Sequence, residues 1–263
     1  MSAGDGNGVP LLCPIDCTRV CAAVAPNAPT GFRSCNWTND GKLSFYCGTC
    51  GVGRVPGDTE PCPSGETVAE RLAHQAYYEG ASVVAFQRLA VALESAGAPT
   101  ALVARARAAA TDEARHAALF GDLAERHGAA PMVLASHAAT PSLFELALEN
   151  ATEGCVRETF GAIVTLHQAT HAESAEIRAA FAAIADDEAE HAALSWELKT
   201  WFDTRLTAAE RAYVQNAHET AVRHARRDAA APPDAPGLAL GLPEAARAER
   251  LLAALMTAMA TAA

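Results

Sequence analysis

One pattern is written twice in this chain, and it limits the fold more than any other feature. The block Asp-Glu-Ala-X-His-Ala-Ala-Leu runs from Asp112 to Leu119 and again from Asp187 to Leu194. A Glu-Gly-x5-Phe block precedes each, at Glu79–Phe86 and at Glu153–Phe160. Glu79 and Glu113 are 34 residues apart, and Glu153 and Glu188 are 35 apart. In an antiparallel helical hairpin, residues equidistant from the turn stand level with one another. The first midpoint falls beside Gly97 and the second at Thr170, and both positions read as helix boundaries. Each hairpin therefore sets its two glutamates face to face. The i, i+3 spacing in Glu113/His116 and Glu188/His191 puts carboxylate and imidazole on one helical face.

The surrounding composition agrees. Half of the 263 residues are hydrophobic but only 6% are aromatic, and long Ala-rich stretches free of Gly and Pro favour helix. Helices are expected over about 66–95, 101–126, 142–170, 170–202, 207–227 and 244–261. Ser142-x-x-Glu145, Thr170-x-x-Glu173 and Thr207-x-x-Glu210 read as capping boxes. The stretch "AAAPPDAPGLALGLP" reads as a linker. Two hairpins of long helices suggest a four-helix bundle. The link 129–141 reaches about 43–47 Å when extended. A helix of about 28 residues is about 42 Å long, so the link can cross the whole bundle.

Seven of the eight cysteines lie between Cys13 and Cys62. The expected organisation is a Cys-rich, loop-rich segment (1–62), a four-helix unit (63–204) and C-terminal helices packing on it (205–263). Within the first segment, "CNWTNDGKLSFYC" reads as a hairpin turning at Asn39-Asp40-Gly41. Disulfides are favoured for the seven cysteines, and with them a periplasmic or extracellular setting. Metal binding is the rival, through Cys47-Gly-Thr-Cys50, and would suit the cytoplasm. A second CxxC is missing, as is a recognised iron–sulfur spacing. Met1 does not open a signal peptide, and no apolar run is long enough for a membrane span. The net charge of −11 argues against a nucleic-acid partner.

Four glutamates and two histidines at one level of a core are costly to bury without a cation. One Glu from each of two helices, plus Glu-x-x-His from each of two others, is the ligand set of di-iron and di-manganese carboxylate bundles. On these residues the chain resembles the ferritin-like di-iron carboxylate superfamily over about 66–202, with rubrerythrin-like and di-iron oxygenase-like features. The resemblance implies an all-α, ferritin-like fold. It implies two Fe ions, with Mn also compatible, held by Glu79, Glu113, His116, Glu153, Glu188 and His191. The same six would carry catalysis. Asp112-Glu113-Ala114-Arg115-His116 is similar to the D-E-x-R-H form of bacterial di-iron monooxygenases and acyl desaturases. That form implies outer partners, with Asp112 holding His191 and Asp187 holding His116. Glu190 stands where the second copy would need Arg.

The implied activity is that of an oxidoreductase. O2 would be activated to hydroxylate, desaturate or N-oxygenate a small molecule, with an electron donor as partner. Alternatives are a ferroxidase, an iron- or manganese-handling protein, or a peroxide-reducing rubrerythrin-like protein. A dimer is compatible with any of these.

Other residues have plainer readings. Phe86 and Phe160, two turns beyond their glutamates, are expected to pack above the metal. Glu158 lies off the face of Glu153 in an α-helix and could be a ligand only through a π-bulge. Tyr77, Tyr78 and Cys155 are expected to be packing residues, and His167 a packing or polar surface residue.

Overall fold

A computed structural model describes the backbone of Arg33–Trp37 and Leu43–Cys47, residues 54–55, 65–130, 132 and 141–262. The two strands carry no described side chains, nor do residues 256 and 258–262. The chain forms two units, Met1–Thr49 and Cys50–Ala263. In the first, strands β1 (Arg33–Trp37) and β2 (Leu43–Cys47) pair antiparallel, from Arg33 opposite Cys47 to Trp37 opposite Leu43. The turn between them and the side chains of the seven N-terminal cysteines lie outside the described residues.

The second unit is helical. Its elements are α1 (Val68–Ser95), α2 (Thr100–Arg126), α3 (Leu143–Glu149), a π-helix (Asn150–Glu158), α4 (Thr159–His171), α5 (Ala175–Asp203), α6 (Ala208–Ala229), α7 (Ala235–Ala239) and α8 (Ala245–Ala262). Thr67 and Glu70 cap α1 reciprocally, Ser142 and Glu145 cap α3, and Thr207 and Glu210 cap α6. Each such cap is worth about 1 kcal/mol. Beyond α1 and α2 the chain turns through Gly97 (φ 69) and Gly128 (φ 92), a backbone region open to glycine at little cost.

Two local expectations need correction. Thr170 does not cap a helix. Its hydroxyl donates to His167 O at 2.9 Å inside the last turn of α4. The chain breaks at Ala172, and Ser174 opens α5 without a side-chain cap. The expected linker also contains α7, because Asp234 accepts from Gly237 N at 3.0 Å and Pro236 suits the first turn.

Helix α1 packs along α2, α4 along α5, and α2 against α5. The π-helix lies against α5 and α6, and α8 covers parts of α4 and α6. Two large apolar clusters lie along α1, α2 and α5, besides a small one of Ala229, Ala248 and Leu252 in the C-terminal helices. One joins Phe86, Leu89 and Leu93 of α1 to Leu102 and Val103 of α2 and Leu198 and Phe202 of α5. The other joins Leu72 of α1 to Phe120 and Leu123 of α2 and Phe181 and Ile184 of α5. Burying each large side chain contributes about 1.5–3 kcal/mol. Along α1, α2 and α5 the same short interval separates the two clusters, and the duplicated motif lies in it.

Candidate metal centre

The three long α-helices bring their parts of this polar layer by simple periodicity. Helix α1 supplies Glu79, held one turn back by Gln75 Nε2, which donates to Oε1 at 2.5 Å. Helix α2 supplies Glu113 and His116, and α5 supplies Glu188 and His191. The π-helix supplies Glu158, its last residue. All six are buried, with Glu113, His116 and Glu158 at 0% exposure.

Among the described residues, two groups of these side chains bring ligand atoms within 4.8 Å of one another. One is Glu79, Glu113, His116 and Glu188; the other is Glu113, Glu158 and His191. Glu113 belongs to both. His116 Nδ1 is 3.2 Å from Glu188 Oε1, 3.6 Å from Glu113 Oε2 and 3.9 Å from Glu79 Oε2. His191 Nδ1 is 3.2 Å from Glu113 Oε1. These groups are close but not aligned as hydrogen bonds. Both Glu113 oxygens, Glu188 Oε1, Glu158 Oε2 and the Nδ1 atoms of His116 and His191 have no hydrogen-bond partner among the described residues. Buried polar atoms are rarely left so, and here six of them converge. Such a cluster can hold a metal ion.

Five of the six expected ligands are brought together. Glu153 is not among them. Its carboxylate is 3.1 Å from Arg157 Nη1, and it is in neither group. The π-helix explains what joins the cluster in addition. Its i→i+5 bonding makes each turn one residue longer than an α-turn, so Glu158, five residues on, swings toward the centre. No simple periodicity in the sequence announces this turn. The same shift re-aims the second phenylalanine. Phe86 is fully buried, with its ring 5.1 Å from the His191 ring. Phe160 is only partly buried and packs with Ala229, Ala248 and Leu252 of the C-terminal helices.

The electrostatics follow from four carboxyl groups buried together. Burial, followed by the Glu113 and Glu188 charges, raises Glu79 well above the carboxylate range. Burial and neighbouring carboxylates push Glu113 and Glu158 up to about 7. Burial would lower His116, but Glu113, Glu188 and Glu79 outweigh it and raise the imidazole to about 11.

The outer partners are unequal. His116 Nε2 is 3.2 Å from Asp187 Oδ2, in a hydrogen bond. His191 Nε2 is 3.6 Å from Asp112 Oδ2, too long for one. Arg115 ties the two aspartates together, at 2.8 Å from Asp112 and 3.0 Å from Asp187. Burial disfavours the Asp187 carboxylate, but the bonds from His116 and Arg115 prevail and lower it. Glu190, in the place of a second Arg, lies outside this network, 3.6 Å from Arg105.

Tyr77 and Tyr78 are buried, with rings edge-on at 5.3 Å. Cys155 is buried, its thiol pushed up to about 12 by burial. His167 Nδ1 meets Gly241 O at 2.9 Å and ties α4 to the α7–α8 connection.

Comparison of the chain with protein-family models, with curated proteins and with solved structures returns no match.

Proposed function

We propose that this protein is a di-iron carboxylate oxidoreductase. In this reading α1, α2, the α3–π–α4 rod and α5 form a ferritin-like four-helix bundle. Glu79, Glu113, His116 and Glu188 would hold one ion. Glu113, Glu158 and His191 would hold the other, with Glu113 reaching both. The observation that carries this is the convergence of six buried ligand atoms without hydrogen-bond partners. Charge supports it too: four carboxylates balance two divalent cations. Oxygen and imidazole donors suit iron, and also manganese, better than thiol-preferring metals.

When bound, the two ions supply the redox chemistry with O2. The chain's own part is positioning and exclusion. With the Nε2 proton directed at Asp187, His116 turns the Nδ1 lone pair to the metal side. Arg115 holds Asp187 in place for that task. The two apolar clusters keep bulk water from either end of the layer. Glu113, Glu158 and Glu79, raised by burial, would each have to release a proton to serve as ligands. The substrate would be a small molecule, with an external electron donor if it is oxygenated. Among the described residues no helix is long and apolar enough to cross a membrane.

Anaerobic loading with ferrous iron, followed by O2 uptake and metal analysis, tests the reading. Two ions per chain and iron-dependent O2 consumption are expected. Glu113→Ala, which removes the shared ligand, should lose both ions while helical circular dichroism persists. Full iron retention in that variant would refute the ligand set. Uptake of far more than two ions would turn the reading to iron storage.

A further inference from the structure

One buried cation comes from outside the helices. Arg54 precedes α1 in the chain, yet it has 0% exposure within the helical unit. Its guanidinium lies over the Phe86 ring, with Cζ 5.4 Å from the centroid. Nη1 is 3.4 Å from Glu149 Oε1. Nη2 donates to Asn150 Oδ1 and lies 3.5 Å from Ser195 Oγ. The backbone N–H of Arg54 donates to Glu158 Oε1 at 2.6 Å.

These partners are not scattered. Glu149 and Asn150 are where α3 passes into the π-helix, and Glu158 is where the π-helix ends. One residue thus grips both ends of the irregular segment, by its side chain at the start and its backbone at the finish. Asn150 is fixed in turn by donating from Nδ2 to Ser195 O of α5 at 2.9 Å. The space for the guanidinium depends on Gly154. A Cβ there would come within 2.6 Å of both Arg54 Nη2 and Ser195 Oγ. At the matching Gly80 of the first copy, a Cβ would meet nothing. The glycine of the second Glu-Gly block therefore has a use that the first lacks.

Burying a guanidinium is costly until its partners compensate, and an apolar side chain could fill the same space. What the arginine adds is fixed geometry. Glu158 Oε1 is occupied by the Arg54 N–H, while Oε2 has no hydrogen-bond partner among the described residues. We propose that Arg54 is the positioning residue of the second metal position. It holds the π-helix at both ends and turns Glu158 Oε2 toward Glu113 and His191. This rests on the two-metal reading above. Among the described residues Arg54 bonds Glu149, Asn150, Ser195 and Glu158 and none of Glu79, His116 or Glu188, so it bears on the first position only through the shared Glu113.

The test uses the full chain and anaerobic titration with Co2+, followed by equilibrium dialysis and optical absorption. The wild type should bind two ions. Arg54→Ala should weaken the second ion by about 10–100-fold, the scale of lost outer partners, and leave the first unchanged. Arg54→Lys should not restore it, because an ammonium cannot span Glu149 and Asn150 as a planar fork does. Amide exchange of the metal-free protein gives a second readout. Arg54→Ala should speed exchange over residues 150–158 and leave 100–126 as in the wild type. A variant that binds both ions as tightly as the wild type overturns the role of Arg54 alone. Equal weakening of both ions, or faster exchange throughout the helices, reduces Arg54 to general stability and also overturns it. A wild type that binds no Co2+ or ferrous iron removes the metal reading and this role together.

Discussion

The two Glu-Gly-x5-Phe blocks share their fixed letters but not their helices. The first lies in regular α1, where Glu79 faces the cluster and Phe86 packs beside it. The second runs through the π-helix, where Glu153 pairs with Arg157 and Phe160 turns to the C-terminal helices. Glu158, not Glu153, is the π-helix carboxylate that joins the clustered ligand atoms. A repeated motif therefore specifies a face only if the helix keeps its period. One wider turn brings a different residue into the cluster.

The largest effect that could break this contrast is on metal content. In the proposed site, Glu158→Gln should lose one of two ions and Glu153→Gln should keep both, by metal analysis after loading. The reverse result would restore the regular helix in solution. The phenylalanines come next. Phe86→Ala should cost about 3–5 kcal/mol in denaturant unfolding, as for a fully buried ring. Phe160→Ala should cost clearly less, since its ring is partly exposed. Equal losses would show that both rings are equally enclosed.

The outer aspartates offer a finer comparison. Asp187→Asn should weaken metal affinity by about 10–100-fold, and Asp112→Asn by less, because only Asp187 hydrogen-bonds its histidine. Competition with a chelator of known strength would measure both.

The smallest effect is in pH. Folded-state values for Glu79, Glu113 and Glu158, and for Glu149, which burial pushes up to about 7, exceed the ordinary 4.5. The folded state then binds more protons than the unfolded one between about 4.5 and 7. Metal-free protein should lose stability as pH rises through that window. His116, at about 11, continues the trend above 6.5. His74, lowered to about 4 by burial and then Arg71, acts oppositely between about 4 and 6.5, but it does so with or without metal. The gap in melting temperature between loaded and metal-free protein should thus widen as pH rises. A constant gap would show that the cluster does not exchange protons for metal.

Much of this was legible in the letters. The caps at Ser142 and Thr207, the break at Gly97 and the Glu-x-x-His pairs are local features. They depend on side chains three or four residues apart, which a linear reading captures. The duplicated spacing then predicted that Glu79 and Glu113 stand level. Thr170 misled because its hydroxyl bonds back into the helix that contains it, while the turn beyond docks on a distant segment, Glu173 N donating to Ala239 O at 3.0 Å.

The sequence by itself determined long helices, their ends and a set of acidic and imidazole groups at one height. Only the tertiary structure decided which second-hairpin glutamate completes the set. The π-helix is held by contacts distant in sequence: Arg54 at both its ends, Asn150 on Ser195, and His218 of α6, whose Nδ1 meets Ala151 O at 3.0 Å. Within the segment the side-chain contact that spans five residues is Asn150 Nδ2 to Cys155 Sγ at 3.6 Å. The other contacts come from groups that reach the segment only when the chain is folded.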